Sequence, residues 1–358
     1  MECVEFEYEK KYMEDFLKLP KILYTKWNNT ENYKDIKNIL LGKHMLLKYI
    51  DKLHKFVIYD DKGKVAGRFA ITTVKDDGNA YLGFFECIKD DKVAKFLFDN
   101  ATEFVKKLGY NKIIGPVDLN MWQKYRLKIN RFDLRPYTGE PYNLEYYYKM
   151  FLDNGFAVKD KYYSNSFNRF SLEYDNPKYT RRYEYFRKNG YEIRSIKMDE
   201  WDSAIEQVYE LIMRLYSGFN TFVKLDKEDF IEQFNSYKKI LDLDLVIMAY
   251  YEGKIVGFSI GIPNYNNAVY NLSSISNLMH ILKIKKKGDE YMITYMGVAP
   301  EHRGLARAIT YLTIEELKKR NATSMGALIR EGTVTNNFAK DMLNFSYEYV
   351  LMEKNVQL

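Results

Sequence analysis

The pattern of hydrophobic and polar positions predicts the same order of elements twice along the chain. In the first half, Phe56–Tyr59 and Val65–Val74 predict a hairpin, and Tyr81–Ile88 predicts a further strand. Apolar residues recur every three or four positions from Val93 to Leu108, which predicts an amphipathic helix that ends at Gly109. The half closes with a strand, a helix and a strand, at Lys112–Ile114, Asn143–Asp153 and Phe156–Tyr163.

The second half repeats this order with almost no identity in sequence. Leu245–Tyr251 and Lys254–Gly261 predict a hairpin around Glu252-Gly253, and the elements that follow are a strand, a helix, a strand, a helix and a strand, at Tyr291–Val298, Leu305–Arg320, Met325–Ile329, Asn336–Leu343 and Tyr347–Glu353. The repeat indicates a structural duplication. We therefore predict an α/β (α+β) protein of two domains, residues 1–175 and 190–358, each a twisted mixed β-sheet flanked by helices.

Two stretches do not follow either periodicity. Val117–Glu140 has no regular pattern, and Asn264–Asp289 is a long insert between two strands. Long irregular segments in compact domains are usually functional or disordered. We expect these two segments to shape a pocket for a substrate.

Composition and charge exclude several classes of protein. The 358 residues are 46% hydrophobic, with a formal charge of +6, and no apolar run is long enough to span a membrane. Met1–Lys11 carries glutamates and no apolar core, so no secretory signal is expected. Two cysteines without metal-ligand spacing and four histidines argue against a metal site. We expect a cytoplasmic protein without a metal, a membrane partner or a nucleic-acid partner.

The segment from Val298 to Ala308 carries the clearest candidate chemistry. A predicted strand ends there, small residues turn the chain, and a predicted helix begins. Free N–H groups at the start of a helix attract anions, and small residues let an anion approach the backbone. The segment is therefore a phosphate or pyrophosphate site, or else an ordinary strand-to-helix turn.

The same segment resembles the phosphate loop of the GNAT superfamily of acetyltransferases. That family carries Arg/Gln-x-x-Gly-x-Gly/Ala at this turn, and this chain reads Arg303-Gly304-Leu305-Ala306-Arg307-Ala308, with alanine at 306 where the family prefers glycine. Tyr295-Met296-Gly297-Val298 takes the place of the family's opened strand, and Asn336-Asn337-Phe338-Ala339 resembles the start of its next helix. The resemblance covers about Tyr191–Lys354. It implies that acetyl-CoA is bound by Met296, Gly297, Val298, Arg303, Gly304, Leu305, Ala306, Arg307, Ala308 and Asn336.

The resemblance also implies catalytic roles. Leu343 falls near the position of the tyrosine that in many members protonates the departing thiolate. Tyr295 is our candidate in its place, with Tyr291 and Tyr347 as alternatives. An amine acceptor must lose a proton before it attacks, and Glu290 is our candidate base, directly or through water; the other interpretation is a solvent-facing acid at the end of a loop.

The first half resembles the family in its order of elements but not at the phosphate loop. Asp90-Asp91-Lys92-Val93-Ala94 stands there, and acids repel pyrophosphate. Further on, Gly115-Pro116-Val117-Asp118 and Pro141-Tyr142-Asn143 resemble segments of two-domain bacterial GNAT-like proteins. We interpret the first half as a fold retained without cofactor binding.

The expected function is an acyl-CoA-dependent N-acyltransferase, with acetyl-CoA as co-substrate and an amine of a small molecule or peptide as acceptor. Two alternatives stay open. One is an inactive tandem GNAT-like binding protein, and the other is a transferase that uses aminoacyl-tRNA.

Overall fold

The computed structural model describes residues 1–75, 77–219 and 221–357. Within these ranges the strands are β1 (Glu2–Phe6), β2 (Lys52–Tyr59), β3 (Val65–Thr73), β4 (Ala80–Cys87), β5 (Lys112–Gly115), β6 (Leu127–Lys128), β7 (Ala157–Phe167), β8 (Tyr191–Ser195), β9 (Val246–Tyr251), β10 (Lys254–Pro263), β11 (Glu290–Val298), β12 (Thr323–Arg330) and β13 (Leu343–Asn355). The α-helices are α1 (Lys10–Leu23), α2 (Tyr33–Leu40), α3 (Asp91–Lys107), α4 (Tyr147–Asp153), α5 (Pro177–Lys188), α6 (Trp201–Tyr216), α7 (Lys227–Tyr237), α8 (Ile275–Lys286) and α9 (Leu305–Arg320). Both predicted hairpins and the predicted helices at α3 and α9 are confirmed.

The strands form one continuous mixed sheet, in the order β1-β2-β3-β4-β5-β13-β7-β12-β11-β10-β9-β8, with β6 beside β13. The mixed α/β fold class is confirmed. The sheets of the two halves join edge to edge, because β13 runs antiparallel to both β5 and β7.

The last strand of each half is exchanged with that of the other. β13 is the last strand of the second half in sequence, yet it pairs with β5 of the first half, where Met352 lies opposite Gly115. β7 is the last strand of the first half, yet it pairs with β12 of the second half, where Ser166 lies opposite Met325. The division into residues 1–175 and 190–358 remains a prediction, and each predicted range gives a strand to the other's part of the sheet.

A parallel pair of strands opens in the second half. β11 and β12 pair only over Glu290–Ile293 and Thr323–Gly326. Beyond these residues the strands diverge, while β11 stays paired with β10 up to Val298. From Thr294 onward, the edge of β11 that faces β12 therefore forms no backbone pairs with that strand.

The predicted helix Asn336–Leu343 is wrong. The chain forms two short 3-10 turns, Val334–Asn337 and Lys340–Met342, and β13 begins at Leu343. Ala339 between them has φ +47°, and its amide donates to the Tyr179 hydroxyl at 2.8 Å instead of to a helical carbonyl. A left-handed residue stops a right-handed helix from propagating.

Both halves share one hydrophobic core on one face of the sheet. This cluster contains Phe16 of α1, Trp201 of α6 and Tyr349 of β13. A second cluster, under α3 and α4, belongs to the first half together with β13 residues such as Met352. Because apolar burial spans the junction, the two halves pack as one unit around the cleft between them.

Candidate active site

A cleft with a volume of ≈ 2050 Å³ lies where β11 and β12 diverge. The second half lines it with the residues of the open edge, Thr294, Tyr295, Met296, Gly297 and Val298. The first half contributes parts of the irregular segment 117–140, among them Trp122, Tyr125, Arg126 and Thr138, and the insert contributes Val269–Ser273. Ligand pockets usually measure about 300–1,000 Å³. The cleft therefore has room for a large substrate or for two substrates together.

Gly297 is needed for packing rather than for opening the strand. A Cβ at this position would lie 2.6 Å from Leu215 of α6 and 2.8 Å from the Phe258 ring. Only glycine lets α6 approach β11 this closely. The opening of this edge comes from the divergence of β12.

The predicted phosphate loop lies past the end of β11, outside the lining of the cleft. Gly304 precedes α9 with φ +93° and provides no side-chain cap. The Leu305 amide donates to the His302 carbonyl at 3.1 Å and the Arg307 amide to the Gly304 carbonyl at 3.2 Å. Within the described part of the chain, the amides of Gly304 and Ala306 have no protein acceptor. The start of α9 can therefore receive an anion.

The side chains of the predicted loop divide into two groups. Those of Leu305 and Ala308 are buried, so these two residues can offer only backbone to a ligand. Arg303 is exposed and Arg307 half-buried, and neither forms an ion pair with another described residue. The loop thus combines free amides with two uncompensated cations.

A third cation at this loop was not predicted. Arg182 projects from α5, and a Cβ at position 304 would lie 3.3 Å from its Cζ and Nε atoms. Arg182 is exposed and has no ion-pair partner among residues 1–75, 77–219 and 221–357. Sequence reasoning missed it because α5 lies in the segment between the two predicted domains.

The corresponding loop of the first half is closed. The Asp90 carboxylate accepts from the amides of Lys92 at 2.8 Å and Val93 at 3.2 Å, so the start of α3 already carries an anion. Beside it, the Tyr147 hydroxyl donates to Glu86 at 2.6 Å and lies 3.0 Å from the Cys87 amide of β4. Protein groups occupy the places that a cofactor would take in the second half.

Tyr295 lies in the cleft, as a catalytic candidate should. Its ring centroid is 5.5 Å from that of Phe234 and 6.5 Å from that of Tyr216. Burial raises the pKa of Tyr295 well above its ordinary value. The phenol therefore stays protonated at neutral pH and can donate a proton or a hydrogen bond.

Glu290 does not reach the cleft. It is the first residue of β11, and at about 3.3 Å per residue it lies about 16 Å along the strand from Tyr295. Its carboxylate accepts from the Asn264 side chain. Burial raises its pKa, and the bond from Asn264 opposes that shift. The structure thus places Glu290 at the base of the insert, away from the other candidates.

Asn336 is also separated from the loop. Its Oδ1 accepts from the Asn165 amide of β7 at 3.1 Å, and it borders a different cavity of ≈ 200 Å³. The cause is the missing helix, since the 3-10 turns give this segment a path that the sequence pattern did not predict.

Arg126 is a cleft residue that sequence reasoning also missed. Its side chain is buried, with the guanidinium carbon 3.7 Å from the ring centroid of Tyr125 and 4.0 Å from that of Tyr162. Among the described residues no carboxylate pairs with it, and Nε lacks a hydrogen-bond partner. Burial lowers the pKa of Arg126 to about 10. No sequence periodicity signals an arginine that turns inward from an irregular segment.

Two further features are absent from the described residues. They contain no group of three or more His, Cys, Asp or Glu side chains that could hold a metal ion. They also contain no helix long and apolar enough to cross a membrane.

The sequence of this chain is similar to those of known proteins. Residues 205–345 match the acetyltransferase (GNAT) family. The chain is 24% identical to Protein YghO of Escherichia coli K12 over 297 residues, which is 79% of this chain and 75% of the relative. It is 21% identical to the bacterial ceramide synthase of Caulobacter vibrioides over 220 residues, which is 59% of this chain and 56% of the relative.

Solved structures share the fold at low sequence identity. A tandem GNAT protein from the clavulanic acid biosynthesis pathway superposes with a TM-score of 0.52 at 12% identity, covering 100% of this chain and 99% of that one. A glucosamine N-acetyltransferase region of a fungal multi-domain protein gives 0.53 at 15% identity, covering 98% of this chain and 38% of that one. The chain therefore carries an acetyltransferase (GNAT) family domain in its second half and has the fold of a tandem GNAT protein over its whole length.

Proposed function

We propose that this protein is an acyl-CoA-dependent N-acyltransferase whose donor site lies in the second half. The observation that carries the proposal is the uncapped start of α9, with Gly304 lying under the Arg182 guanidinium. Free amides and nearby cations form a site for the diphosphate of a coenzyme A thioester. The first half has its helix start capped by Asp90, so it is not proposed to bind a donor.

The open edge of β11 suits the arm of the donor. From Thr294 to Val298 this edge has no partner in β12, so its backbone N–H and C=O groups remain free for a ligand that carries amides. An arm bound along Met296, Gly297 and Val298 would place its thioester in the cleft near Tyr295.

The reaction proposed is direct transfer. The neutral amine nitrogen attacks the thioester carbonyl carbon to give a tetrahedral species with a protonated nitrogen. That nitrogen releases its proton to solvent water, and the species collapses with loss of the carbon–sulfur bond. The thiolate leaves and takes a proton, for which we assign Tyr295, because its half-buried phenol stays protonated. Glu290 is dropped as the base because it lies outside the cleft.

The cleft favours an acyl chain longer than acetyl. Its walls include Phe234, Ile260 and Ile262, all buried and apolar. One relative is named a bacterial ceramide synthase, and a ceramide is an amide that joins a long-chain amine to a long acyl chain. We propose a long-chain acyl-CoA as donor, with acetyl-CoA as the competing possibility.

Calorimetric titration of the full chain with acetyl-CoA and palmitoyl-CoA tests the donor site. Wild type should bind at least one donor, and Ala306→Glu should abolish binding by charge and bulk at the free amides. Lys92→Glu is the matched control, because it adds an acid to the exposed start of α3 and should leave binding unchanged. Absence of donor binding by wild type would refute the proposal.

Turnover separates the enzyme from an inactive binding protein. Release of free CoA thiol should be followed with a panel of primary amines, including long-chain amines. Binding without release across that panel would favour the binding-protein alternative.

A further inference from the structure

The helix α8 presents an apolar face to solvent. Ile275, Leu278, Met279 and Leu282 are 79%, 43%, 63% and 60% exposed. Their spacing of three and four residues puts them on one side of the helix. Ile281 and Ile284, on the opposite side, are the half-buried ones. A helix on the surface of a water-soluble protein normally shows the reverse arrangement, with its apolar face toward the core.

Lysines flank this apolar face. Lys283, Lys285 and Lys286 lie in the last turn of α8, and Lys287 follows it directly. All four are exposed, and within the described ranges none of them forms an ion pair. An apolar face bordered by uncompensated lysines is the composition of helices that lie in a membrane interface.

The position of α8 relates it to the cleft. The segment Val269–Ser273, which leads directly into α8, lines the cleft, and Leu272 within it is 56% exposed. A surface that receives α8 would therefore lie beside the mouth of the cleft.

We propose that α8 docks this protein on an anionic membrane surface. The apolar face would enter the boundary between headgroups and acyl chains, and the lysines would meet lipid phosphates. The helix has 12 residues, too few to span a bilayer, so it lies on the surface. It follows that the cleft takes a substrate from the membrane, either a lipid amine or a long-chain acyl donor; this part rests on the proposed function.

Charge favours a membrane over a second copy of the chain. In a two-fold symmetric contact the same patch faces itself, so the lysines of one helix would approach those of the other. Like charges at such an interface repel. Anionic headgroups instead compensate the lysines and receive the apolar face at the same time. This reverses the expectation from sequence that no membrane partner exists.

Flotation of the full chain with vesicles tests the proposal without any substrate. Wild type should float with phosphatidylcholine vesicles that contain phosphatidylglycerol, and at least about tenfold less with phosphatidylcholine alone, because each lysine near an anionic surface contributes a factor of about five. Leu282→Asp should lower binding by about tenfold. Leu172→Asp is the matched control, since Leu172 is 75% exposed on a loop before α5.

Two double variants test the contribution of the lysines to vesicle binding. Lys283→Glu/Lys286→Glu should lower binding to anionic vesicles by more than tenfold, whereas Lys106→Glu/Lys107→Glu, at the end of α3, should leave it unchanged. The proposal is overturned if wild type does not float with anionic vesicles, or if the α8 variants float like their controls. It is also overturned if Leu282→Asp changes the oligomeric mass in solution but not the flotation.

Failure of this proposal can be told apart from failure of the proposed function. The α8 variants should bind acyl-CoA in calorimetry as wild type does, because α8 lies outside the donor site. Loss of vesicle binding with normal donor binding supports the membrane role alone, and normal vesicle binding without donor binding overturns only the transferase.

Discussion

The Arg182 guanidinium lies over Gly304, close enough that a methyl group at position 304 would come 3.3 Å from its Cζ atom. A residue of α5, between the two halves, thus closes over the start of α9. The proposed donor site is therefore assembled from two segments that lie far apart in sequence.

Gly304→Ala should weaken binding of acyl-CoA by about tenfold or more. The alanine is strained at φ +93°, by about 1–2 kcal/mol, and it displaces Arg182. Calorimetric titration measures the affinity. Gly253→Ala is the control, since Gly253 has φ +77° with nothing near its Cβ position, so it should lose similar stability and keep donor affinity.

Arg182→Ala should lower donor affinity about tenfold without lowering thermal stability. Hydrogen bonds to charged groups contribute about 1.5–3 kcal/mol, and Arg182 has no protein anion to lose within the described chain. Arg181→Ala, on the same helix, is the matched variant, because Arg181 Nε donates to the Pro177 carbonyl instead. Equal affinities for the two variants would contradict a phosphate role for Arg182.

Arg126→Met should raise the free energy of unfolding by about 1 kcal/mol. A buried charge without a carboxylate partner opposes folding, and an apolar side chain of similar length removes that cost. Denaturant unfolding measures the change, and Arg126→Lys, which keeps the charge, should not show the gain. A loss of stability of more than 1 kcal/mol would show that the stacking on Tyr125 and Tyr162 outweighs the desolvation.

Stability should depend on pH through Glu86. Burial, opposed by Lys124 and Arg68, raises the pKa of Glu86 from 4.5 to about 7. Between these values the folded protein binds a proton that the unfolded chain has released, so the free energy of unfolding falls as pH rises.

Glu86→Gln should remove this contribution, on the order of 2 kcal/mol between pH 4.5 and 7. Asp118, whose pKa burial raises to about 6, acts in the same direction over a lower range and stays in the variant. Unfolding curves of both proteins at several pH values give the difference. If the two proteins show the same pH slope, the carboxyl of Glu86 is already ionised in the fold.

Local patterns in the sequence predicted what local physics determines. The apolar spacing predicted α3 and α9, and small residues predicted the turn at Gly304 before α9. The acids before α3 were interpreted as repelling pyrophosphate, and the structure adds that Asp90 caps this helix. These features depend on residues within a few positions of one another.

What the sequence did not predict depends on contacts across the fold. Arg182 and Arg126 matter because of neighbours that α5 and an irregular segment bring to them. Ala339 interrupts the predicted helix because its amide donates a hydrogen bond to Tyr179, which is far away in sequence. Glu290 was chosen for its place beside β11, but the cleft opens only from Thr294 onward, where β12 diverges, and pairing between distant strands determines that point.

The pairing of β5 with β13 has a consequence for synthesis on the ribosome. The strand that completes the first half's part of the sheet is translated only after the whole second half. Domains usually fold in order as they emerge. Here the first half must wait with an unpaired strand edge, so a ribosome that stalls before β13 would release a chain in which β5 and one edge of β7 lack a partner strand.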